Sequence, residues 1–478
     1  MYTAPEIFVA NKRRAGRGVA IPVLNPATED VLGEVREANE ADVAEALASA
    51  QSGFEAWRKT SAWVRADTLR RIAQLIRERT PEIARLLTLE VGKPLKEAEL
   101  EVLSGVEHFE WAADMARHVH GQAIDPRVPE NRMRVTYEPV GIVLALTAWN
   151  FPINLAARKL CMALAAGCSV IIRPASESPG SISALVQCCI DAGLPPGAVN
   201  FLIGTPENVI APLMRAPSVR KVSFTGSTRV GKLLIEQSAA TVKRLTMELG
   251  GHAPVLVMAD ADVDLAAKTA ATFKFRNAGQ VCTSPSRFYV HESLAGRFTS
   301  VMVEATRSLK IGNGLDPDTT MGPLATARQR DRAEMLVADA RKHGAKVLTG
   351  GSRPAAHNRG FFFEPTILSD VGPESMILTE EPFAPVAPIL PFSDPEAVIK
   401  QANALEAGLA AYVFTRSLDK ANEVAERLEA GVVGVNTCAV ALPEAPFGGV
   451  KQSGYGREGG STAIYDYLNI KFTHTRLT

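Results

Sequence analysis

Apolar and amphipathic runs alternate along residues 140–250, and each run has the length of one strand or one helix. Short continuous apolar runs predict buried strands, whereas apolar positions that recur every three or four residues predict helices. The predicted strands lie at 141–146, 168–172, 199–203, 221–225 and 242–247, and the predicted helices at 153–166, 180–192, 207–215 and 228–239. This alternation, with short turns that contain Gly or Pro, favours a doubly wound parallel sheet of the kind that holds a dinucleotide.

A second alternating series begins near Pro254 and ends at Thr415. It contains predicted strands at 254–258 and 412–415 and predicted helices at 262–274 and 293–309. The series therefore predicts a second α/β domain, and the fold class is α/β. Upstream of both series, two long helical stretches at 41–57 and 61–92 are expected to pack on the first sheet.

Two segments fit neither series. Residues 121–138 alternate apolar and polar positions around two prolines, which indicates a hairpin, and residues 465–473 form a second alternating strand. Exposed strand edges need a partner, so we predict pairing across a subunit interface in a homo-oligomer, either a dimer or a tetramer. The predicted division is a dinucleotide-binding domain (1–118 and 139–249), a catalytic domain with the nucleophilic cysteine (250–435), and an oligomerisation element (119–138 and 463–478).

The composition is that of an ordinary globular protein, with 46% hydrophobic and 22% charged residues in 478. Lys plus Arg and Asp plus Glu are equal, at 52 each, so we expect neither nucleic acid nor a membrane as a partner. A small molecule is the expected partner instead. The first residues lack the basic and apolar blocks of a signal peptide, which favours a cytoplasmic protein. The six cysteines lack metal-ligand spacing, so reduced thiols and no metal site are predicted.

One cysteine differs from the others. Cys282 lies among Asn, Gly, Gln, Thr and Ser, whereas four of the other five lie in apolar, Ala-rich runs. Glu248 closes a predicted strand just before two glycines, and Asn150 lies in a turn before Pro152. A thiol, a carboxylate and an amide donor together suit covalent chemistry at a carbonyl carbon. Taken singly, the asparagine is also typical of an ordinary turn, and the glutamate of a solvated strand end.

Two features are candidates for binding a cofactor. Gly226 ends a predicted strand and Ser227 begins a helix, so the free amides there suit a pyrophosphate, although Ser227 is also typical of an ordinary helix cap. Arg173 ends another strand at the sheet edge where ligands bind. It could equally be a solvated charge. The chain has no GxGxxG motif, so this is not the standard dinucleotide fingerprint.

Six motifs along the whole chain together resemble the aldehyde dehydrogenase superfamily. They are WNFP at 149–152, SFTGST at 223–228, ELGG at 248–251, FRNAGQVC at 275–282, EPFAP at 381–385 and PFGG at 446–449. The resemblance implies that Cys282 is the nucleophile, that Glu248 is the general base, and that the Asn150 amide forms the oxyanion hole with the Cys282 backbone N–H. It also implies that an aldehyde is captured as a thiohemiacetal, oxidised to a thioester with NAD or NADP, and released as an acid.

The same resemblance implies the cofactor contacts. Ser227 would contact the pyrophosphate, and Glu381 and Phe383 the nicotinamide ribose and ring. The full predicted set is Trp149, Arg173, Ser176, Gly226, Ser227, Glu381 and Phe383. Arg173 stands where the family has a lysine, and Ser176 where it has an acid that selects NAD. Loss of that acid favours acceptance of NADP, while the acidic Glu177, one position further on, leaves NAD as an alternative cofactor.

Within the superfamily the chain is most similar to succinate-semialdehyde dehydrogenases. In those enzymes, arginines that match Arg158 and Arg276 bind the substrate carboxylate; the alternative here is that they pair with internal acids. The loop at 439–444 lacks the serine that completes carboxylate binding in relatives, and Glu444 could repel an acid if it points inward. Ser284 replaces a second cysteine that some relatives use as a redox switch, so that regulation is not expected.

Succinate semialdehyde is therefore the expected substrate of an NAD(P)-dependent dehydrogenase. Glutarate semialdehyde or uncharged aldehydes are the alternatives within the class. Outside it, the alternatives are a thiol esterase that does not oxidise and a binding protein with an inactive site. The complete set of Cys282, Glu248 and Asn150 argues against an inactive site.

Overall fold

The structure is a computed structural model that describes residues 2–476; Met1, Leu477 and Thr478, at the ends of the predicted domains, lie outside the described residues. The strands are β1 Ile7–Val9, β2 Lys12–Arg14, β3 Ala20–Leu24, β4 Val31–Arg36, β5 Gln122–Ile124, β6 Asn131–Pro139, β7 Ile142–Leu146, β8 Ser169–Arg173, β9 Val199–Phe201, β10 Val219–Thr225, β11 Arg244–Glu248, β12 Ala253–Val257, β13 Pro285–His291, β14 Lys346–Thr349, β15 Thr366–Ser369, β16 Val386–Phe392, β17 Ala407–Gly408, β18 Ala410–Phe414, β19 Val432–Val435, β20 Val450–Lys451, β21 Gly454–Tyr455 and β22 Leu468–Arg476. The α-helices are α1 Glu40–Trp57, α2 Ala62–Glu78, α3 Thr80–Val91, α4 Leu95–Ala116, α5 Pro152–Ala166, α6 Pro179–Asp191, α7 Ala211–Arg215, α8 Thr228–Ser238, α9 Val263–Phe275, α10 Glu292–Arg307, α11 Ala327–Lys342, α12 Pro395–Asn403 and α13 Leu418–Arg427.

The first large sheet has eight strands in the order β2-β1-β9-β8-β7-β10-β11-β21. Its five central strands, β9, β8, β7, β10 and β11, are parallel to one another. The strands at both edges of the sheet pair antiparallel. Strand β7 is buried at every position, because helices cover both faces of the sheet, and its sequence is accordingly a continuous apolar run. The predicted doubly wound parallel sheet is confirmed, with antiparallel edges added.

The second large sheet has seven strands in the order β14-β15-β16-β13-β12-β18-β19. All neighbouring pairs are parallel except β14 with β15. Each sheet has its own apolar core, and the second is built around Phe288, Phe298 and Tyr412. The second α/β unit predicted from the sequence is therefore confirmed as an architecture. The exact domain boundaries stay a prediction, because residues 450–455 return to pair near the first sheet.

The predicted helix at 61–92 is wrong as a single element. It is two helices, α2 and α3, and Arg79 between them leaves the helical conformation. Pro81 lies in the first turn of α3, where a missing N–H costs nothing, but inside one continuous helix it would break the hydrogen-bond ladder. Helix α4 was not predicted, although its residues form the wall beside which α5 packs.

The predicted hairpin and terminal strand form one small sheet, in the order β22-β6-β5. Strand β22 pairs antiparallel with β6 of the same chain over its whole length, from Leu468 with Pro139 to Arg476 with Asn131. The terminal strand therefore has a partner within the chain, on the side of β6. The outer edges of β22 and β5 stay open, and pairing across a subunit interface stays a prediction. In the described residues, none of the helices has the length and hydrophobicity that crossing a membrane requires.

Candidate active site

A cavity of about 1350 Å³ opens where the carboxyl ends of β7, β8 and β10 face the segment that precedes β13. Eleven of the twelve predicted site residues line it: Trp149, Asn150, Arg158, Arg173, Gly226, Ser227, Glu248, Arg276, Cys282, Glu381 and Phe383. Ser176 does not line the cavity; its hydroxyl instead accepts a hydrogen bond from Arg173 at 3.4 Å. The fold thus brings residues that are up to 234 positions apart, Trp149 to Phe383, into one site.

The thiol and the carboxylate are neighbours. Sγ of Cys282 lies 3.7 Å from Oε1 of Glu248, which closes β11. This approach depends on Gly251, since a Cβ there would lie 2.5 Å from the backbone oxygen of Cys282. A glycine is therefore required after Glu248 so that the cysteine segment can approach closely. From the sequence, the two glycines indicated only a sharp turn and room for a ligand.

The segment before the thiol is conformationally strained. Asn277 and Ala278 both have positive φ angles, 47° and 52°, which are unfavourable for residues other than glycine. A carboxylate oxygen of Glu97 accepts the Asn277 backbone N–H at 2.9 Å and so holds the strained turn. Such strain persists only where the surroundings determine the conformation, as at functional sites. It was not visible in the sequence.

The thiol is protonated in this arrangement. Burial raises the pKa of Cys282 well above its usual range, and the Glu248 carboxylate raises it further, against an opposing effect of Arg158. Burial also raises the pKa of Glu248, and the negative charge of Glu458 adds to that shift. The pair therefore favours a neutral thiol beside a carboxyl group that readily takes up a proton.

A chain of buried polar groups extends inward from Glu248. Thr225 donates to Glu248 at 2.9 Å, Lys159 donates to Thr225 at 2.8 Å, and Lys159 also pairs with Glu458. Burial opposes ionisation of Glu458, but Lys159, Arg158 and the Ser223 hydroxyl together outweigh burial and lower the pKa of that carboxyl. Sequence analysis missed Thr225 and Glu458. A signal existed for Lys159, which is a lysine inside the mostly apolar, Ala-rich helix α5.

Asn150 is fixed beside the cysteine segment. Its side-chain Nδ2 donates to the backbone oxygen of Gln280 at 3.1 Å, and the residue is 4% exposed. Its own backbone oxygen accepts from Lys93 at 2.8 Å and from Asn277 at 3.0 Å. The amide therefore has a definite orientation close to the thiol, as an oxyanion donor requires.

An aromatic pair lines the cavity. The rings of Trp149 and Phe383 meet edge to face, with centroids 5.5 Å apart, and Phe383 has a strained φ of 45°. Next to them, Glu381 accepts the Gly251 N–H at 3.1 Å. Burial raises the pKa of Glu381 to about 7.

The other half of the cavity lies at the N-terminus of α8. Ser227 is the N-cap of that helix and accepts from the Val230 N–H at 3.4 Å, and residues 226–230 line the cavity. A helix N-terminus of this kind suits an anion. The hydroxyl of Thr147 is buried at the end of β7 without a hydrogen-bond partner among the described residues. Such an orphaned polar atom on the cavity wall is consistent with a polar ligand that is bound there.

Arg173, which was predicted to bind the cofactor, already donates hydrogen bonds within the chain. Arg173 donates twice to the backbone oxygen of Gly204, at 2.8 and 2.7 Å. Arg229, in the first turn of α8, and Glu177 line the same half of the cavity. Arg229 was missed in the sequence, where it resembles an ordinary exposed helix residue.

The two predicted substrate arginines lie at the thiol end. Arg158 is 3% exposed, donates from Nε to His108 at 3.1 Å, and stacks 4.4 Å over the ring of Phe447. Arg276 is exposed and lies 4.8 Å from the ring centre of Phe151. Within residues 2–476, neither guanidinium forms an ion pair with an acid; the buried pairs beside the cavity use lysines instead.

The 439–444 loop borders the same end through Ala441. Glu444 is exposed and does not line the cavity, so it does not point inward against an acidic ligand. Asn154 and Ser104, joined by a 2.7 Å hydrogen bond, add neutral polar groups to the wall below Arg158. These two residues were also missed from the sequence.

Comparison with known proteins gives consistent matches. The model of the aldehyde dehydrogenase family matches residues 13–473. The chain is 44% identical to the 3-sulfolactaldehyde dehydrogenase of Pseudomonas putida over 96% of this chain and 94% of the relative. It is 43% identical to the NADP(+) succinate-semialdehyde dehydrogenase of Escherichia coli K12, over 96% and 95%. Among solved structures, the succinate-semialdehyde dehydrogenase of Burkholderia pseudomallei superposes with a TM-score of 0.96 at 40% identity, over 99% and 98% of the two chains.

The neutral thiol can be tested by alkylation. Without substrate, we expect the rate at which iodoacetamide alkylates Cys282 to keep rising above pH 9, the ordinary pKa of a thiol, because burial and Glu248 both disfavour the thiolate. Glu248→Gln removes one of these causes, so its pH profile should shift to lower pH. Glu380→Gln, at an exposed acid on the same cavity wall, is the matched control. A shift to higher pH in Glu248→Gln would contradict this electrostatic description.

Proposed function

Since the chain belongs to the aldehyde dehydrogenase family and is an oxidoreductase that oxidises aldehydes with NAD(P), we propose that its substrate is a short aldehyde with a remote anionic group, succinate semialdehyde in the first instance. The observation that carries the proposal is the pair of arginines at the thiol end of the cavity, neither of which is neutralised by an acid in the described residues. Arg158 is buried, and an unpaired guanidinium is costly to bury unless a ligand supplies the negative charge. Arg276 is exposed at the same end of the cavity and adds a second positive charge.

Cys282 is the proposed nucleophile. Its proton passes to Glu248, 3.7 Å away, as Sγ bonds to the aldehyde carbon, and the carbonyl π electrons move to the oxygen. The Asn150 amide and the Cys282 backbone N–H donate to that oxyanion. The product is a thiohemiacetal, a tetrahedral carbon that is a far better hydride donor than the free aldehyde.

The bound nicotinamide supplies the hydride acceptor, and Trp149, Glu381 and Phe383 would hold it next to the thiol. Loss of hydride from the thiohemiacetal leaves a thioester on Cys282. Glu248 first releases inward the proton that it took from Cys282. Ionised again, it takes a proton from a water molecule that attacks the thioester carbon, and it returns that proton to Sγ as the acid leaves and the thiol is restored. Thr225, Lys159 and Glu458 lie behind Glu248 and offer an inward route for the proton that it collects.

This sequence of steps sets aside the esterase as the main function. A cysteine that forms thioesters can hydrolyse activated esters, but the aromatic pair and the helix-end anion site have no use in that reaction. They suit an oxidation with a dinucleotide.

The anion subsite is proposed to consist of Arg158 and Arg276. Helix α5 holds Arg158 eight residues after Asn150, and His108 and Phe447 fix its guanidinium from two sides. The loop that carries a serine in relatives has only Ala441 at the cavity here, so this loop supplies no neutral hydrogen-bond donor. The Asn154–Ser104 pair is proposed to replace it from the opposite wall.

A sulfonate is the second candidate for the anionic group. The small Ala441 leaves room for a group larger than carboxylate, and a relative of comparable identity is a 3-sulfolactaldehyde dehydrogenase. Both anions use the same arginine chemistry.

For the cofactor, we propose that NADP is accepted. No acid stands at Ser176, and Arg229 adds a positive charge to the same half of the cavity. Glu177 lines that half as well and keeps NAD in use. Arg173 contributes less than the sequence indicated, because Gly204 already occupies its donors.

A homo-oligomer, dimer or tetramer, is proposed from the small sheet. Ile470 is 69% and Phe472 54% exposed, on one face of β22, and their partners in β6 on that face are Tyr137 and Val135. An exposed apolar face on a protruding sheet is typical of a subunit contact. A second copy of this chain is the proposed occupant, because the open strand edge beside the face suits an identical edge.

The substrate class is tested by kcat/KM for succinate semialdehyde against butanal. Each charge-assisted contact is worth about 1.5–3 kcal/mol, so we expect the acid to be favoured by roughly 100-fold or more. Arg276→Ala should remove most of that preference and leave butanal, the internal control, almost unchanged. A 3-carbon aldehyde with a terminal sulfonate, which has the same spacing between the aldehyde and the anion, is measured in parallel and decides between carboxylate and sulfonate. Equal use of butanal by the wild type would contradict the anion subsite.

Cofactor recognition is tested with Arg229→Ala. We expect kcat/KM for NADP to fall by about 10-fold, the value of one exposed charge contact, and that for NAD to change little. Lys232→Ala is the matched control, because Lys232 lies three positions further along α8, does not line the cavity and donates to Gln452. An equal loss for both cofactors would contradict a role in recognising the additional phosphate.

Oligomerisation is tested by light scattering after gel filtration. Phe472→Asp puts a charge on the apolar face and should lower the molar mass to that of a smaller assembly. Lys471→Ala, on the opposite face of the same strand, should leave the mass unchanged. A monomeric wild type would rule out the proposed contact.

A further inference from the structure

We propose that Lys93 and Glu101 are positioning residues for the reaction, which hold the turn that carries Asn150 against the cysteine segment. The proposal rests on the function proposed above, since it assigns the two residues to the oxyanion donor. Neither of them was singled out by the sequence. Both side chains are fully buried and form an ion pair with each other.

The side chain of Lys93 contacts the backbone of the turn that carries Asn150. Nζ donates to the backbone oxygen of Asn150 at 2.8 Å and lies 3.8 Å from the centre of the Phe151 ring. The same Asn150 oxygen accepts from the side chain of Asn277 at 3.0 Å. One carbonyl is thus shared by a lysine from the α3–α4 connection and by the strained segment that leads to Cys282.

Glu101 acts on the other end of the turn. Its Oε1 accepts the backbone N–H groups of Ile153 and Asn154, at 2.9 and 3.3 Å, in the first turn of α5. The N-cap residue of that helix, Phe151, makes no side-chain cap of its own. Glu101 therefore replaces the missing cap and fixes where α5 begins.

Between these two anchors lies the turn from Asn150 to Pro152. Its ends are held by a single ion pair, so the peptide planes between them have little freedom, and Asn150 keeps its Nδ2 3.1 Å from the Gln280 oxygen. A buried ion pair is weak evidence for stability, because apolar residues of similar volume often serve as well. Retaining two buried charges here is better explained by orientation of the amide. A displacement of about 1 Å in such a donor costs on the order of 100-fold in rate.

The test is a double-mutant cycle between Lys93→Met and Asn150→Ala, with succinate semialdehyde and NADP. We expect Lys93→Met to lower kcat by roughly 100-fold while KM and the alkylation rate of Cys282 stay within about threefold. In the Asn150→Ala background, the same substitution should lower kcat by less than about threefold, because the group through which it acts is gone.

A matched control is Lys243→Met. Lys243 is another buried lysine that donates to two backbone oxygens, those of Ala216 and Val219, but it lies away from the cavity. Lys243→Met should lower thermal stability, but it should not lower kcat selectively while KM stays unchanged. Where Lys93→Met does not fold, Glu101→Gln, which keeps the volume and one acceptor oxygen, is measured in the same cycle with the same criterion.

Two results would overturn the proposal: an equal loss in both backgrounds, which indicates a structural role independent of Asn150, or no loss in kcat. The proposed function fails in a different way. If the wild type does not oxidise the aldehyde, or if Asn150→Ala alone leaves kcat unchanged, the oxyanion assignment is wrong, and the positioning role is wrong with it.

Discussion

The backbone oxygen of Asn150 fastens the two halves of the site together. Lys93, from the helical region that packs on the first sheet, and Asn277, from the segment that precedes β13 of the second sheet, both donate to it. The amide of the same residue donates back to Gln280, two positions before the thiol. The distance between the oxyanion donor and the nucleophile is therefore set by hydrogen bonds that cross from one sheet to the other, and the cavity exists because the sheets meet there.

Electrostatics follows from this burial. The thiol is kept neutral and the Glu248 carboxyl is ready to accept its proton, because both are removed from water and lie close to each other. Charges that must stay ionised have partners: Lys159 with Glu458, and Lys93 with Glu101. The two arginines at the substrate end have aromatic and imidazole neighbours instead of acids. A low-dielectric site with that remaining positive charge suits an anionic substrate.

Sequence patterns predicted the parts of this structure that depend on local chemistry. Five strands of the first sheet and two of the second, β12 and β18, follow from short apolar runs, and the cysteine, glutamate and asparagine follow from local motifs. The other strands of the second sheet were not predicted. The break at Arg79 between α2 and α3 was missed, because amphipathic periodicity continues across it. Helix α4 was missed as well. Contacts between distant positions had no local signal. Lys159 and Glu458 are 299 residues apart, and their pairing needed the coordinates.

In the proposed reaction, Cys282 forms the covalent bond to the substrate, and Glu248 completes the turnover by activating water. The most direct measurement is rapid-quench mass spectrometry of Glu248→Gln after mixing with succinate semialdehyde and NADP. The mixing is done at a raised pH, where the Cys282 thiol, whose pKa falls when the Glu248 charge is removed, ionises without a base. Hydride transfer should then still occur in this variant, so one equivalent of NADPH should appear per active site, and a thioester should accumulate on the peptide that contains Cys282. Formation of the acid with no adduct on Cys282, or an adduct on another residue, would contradict the account.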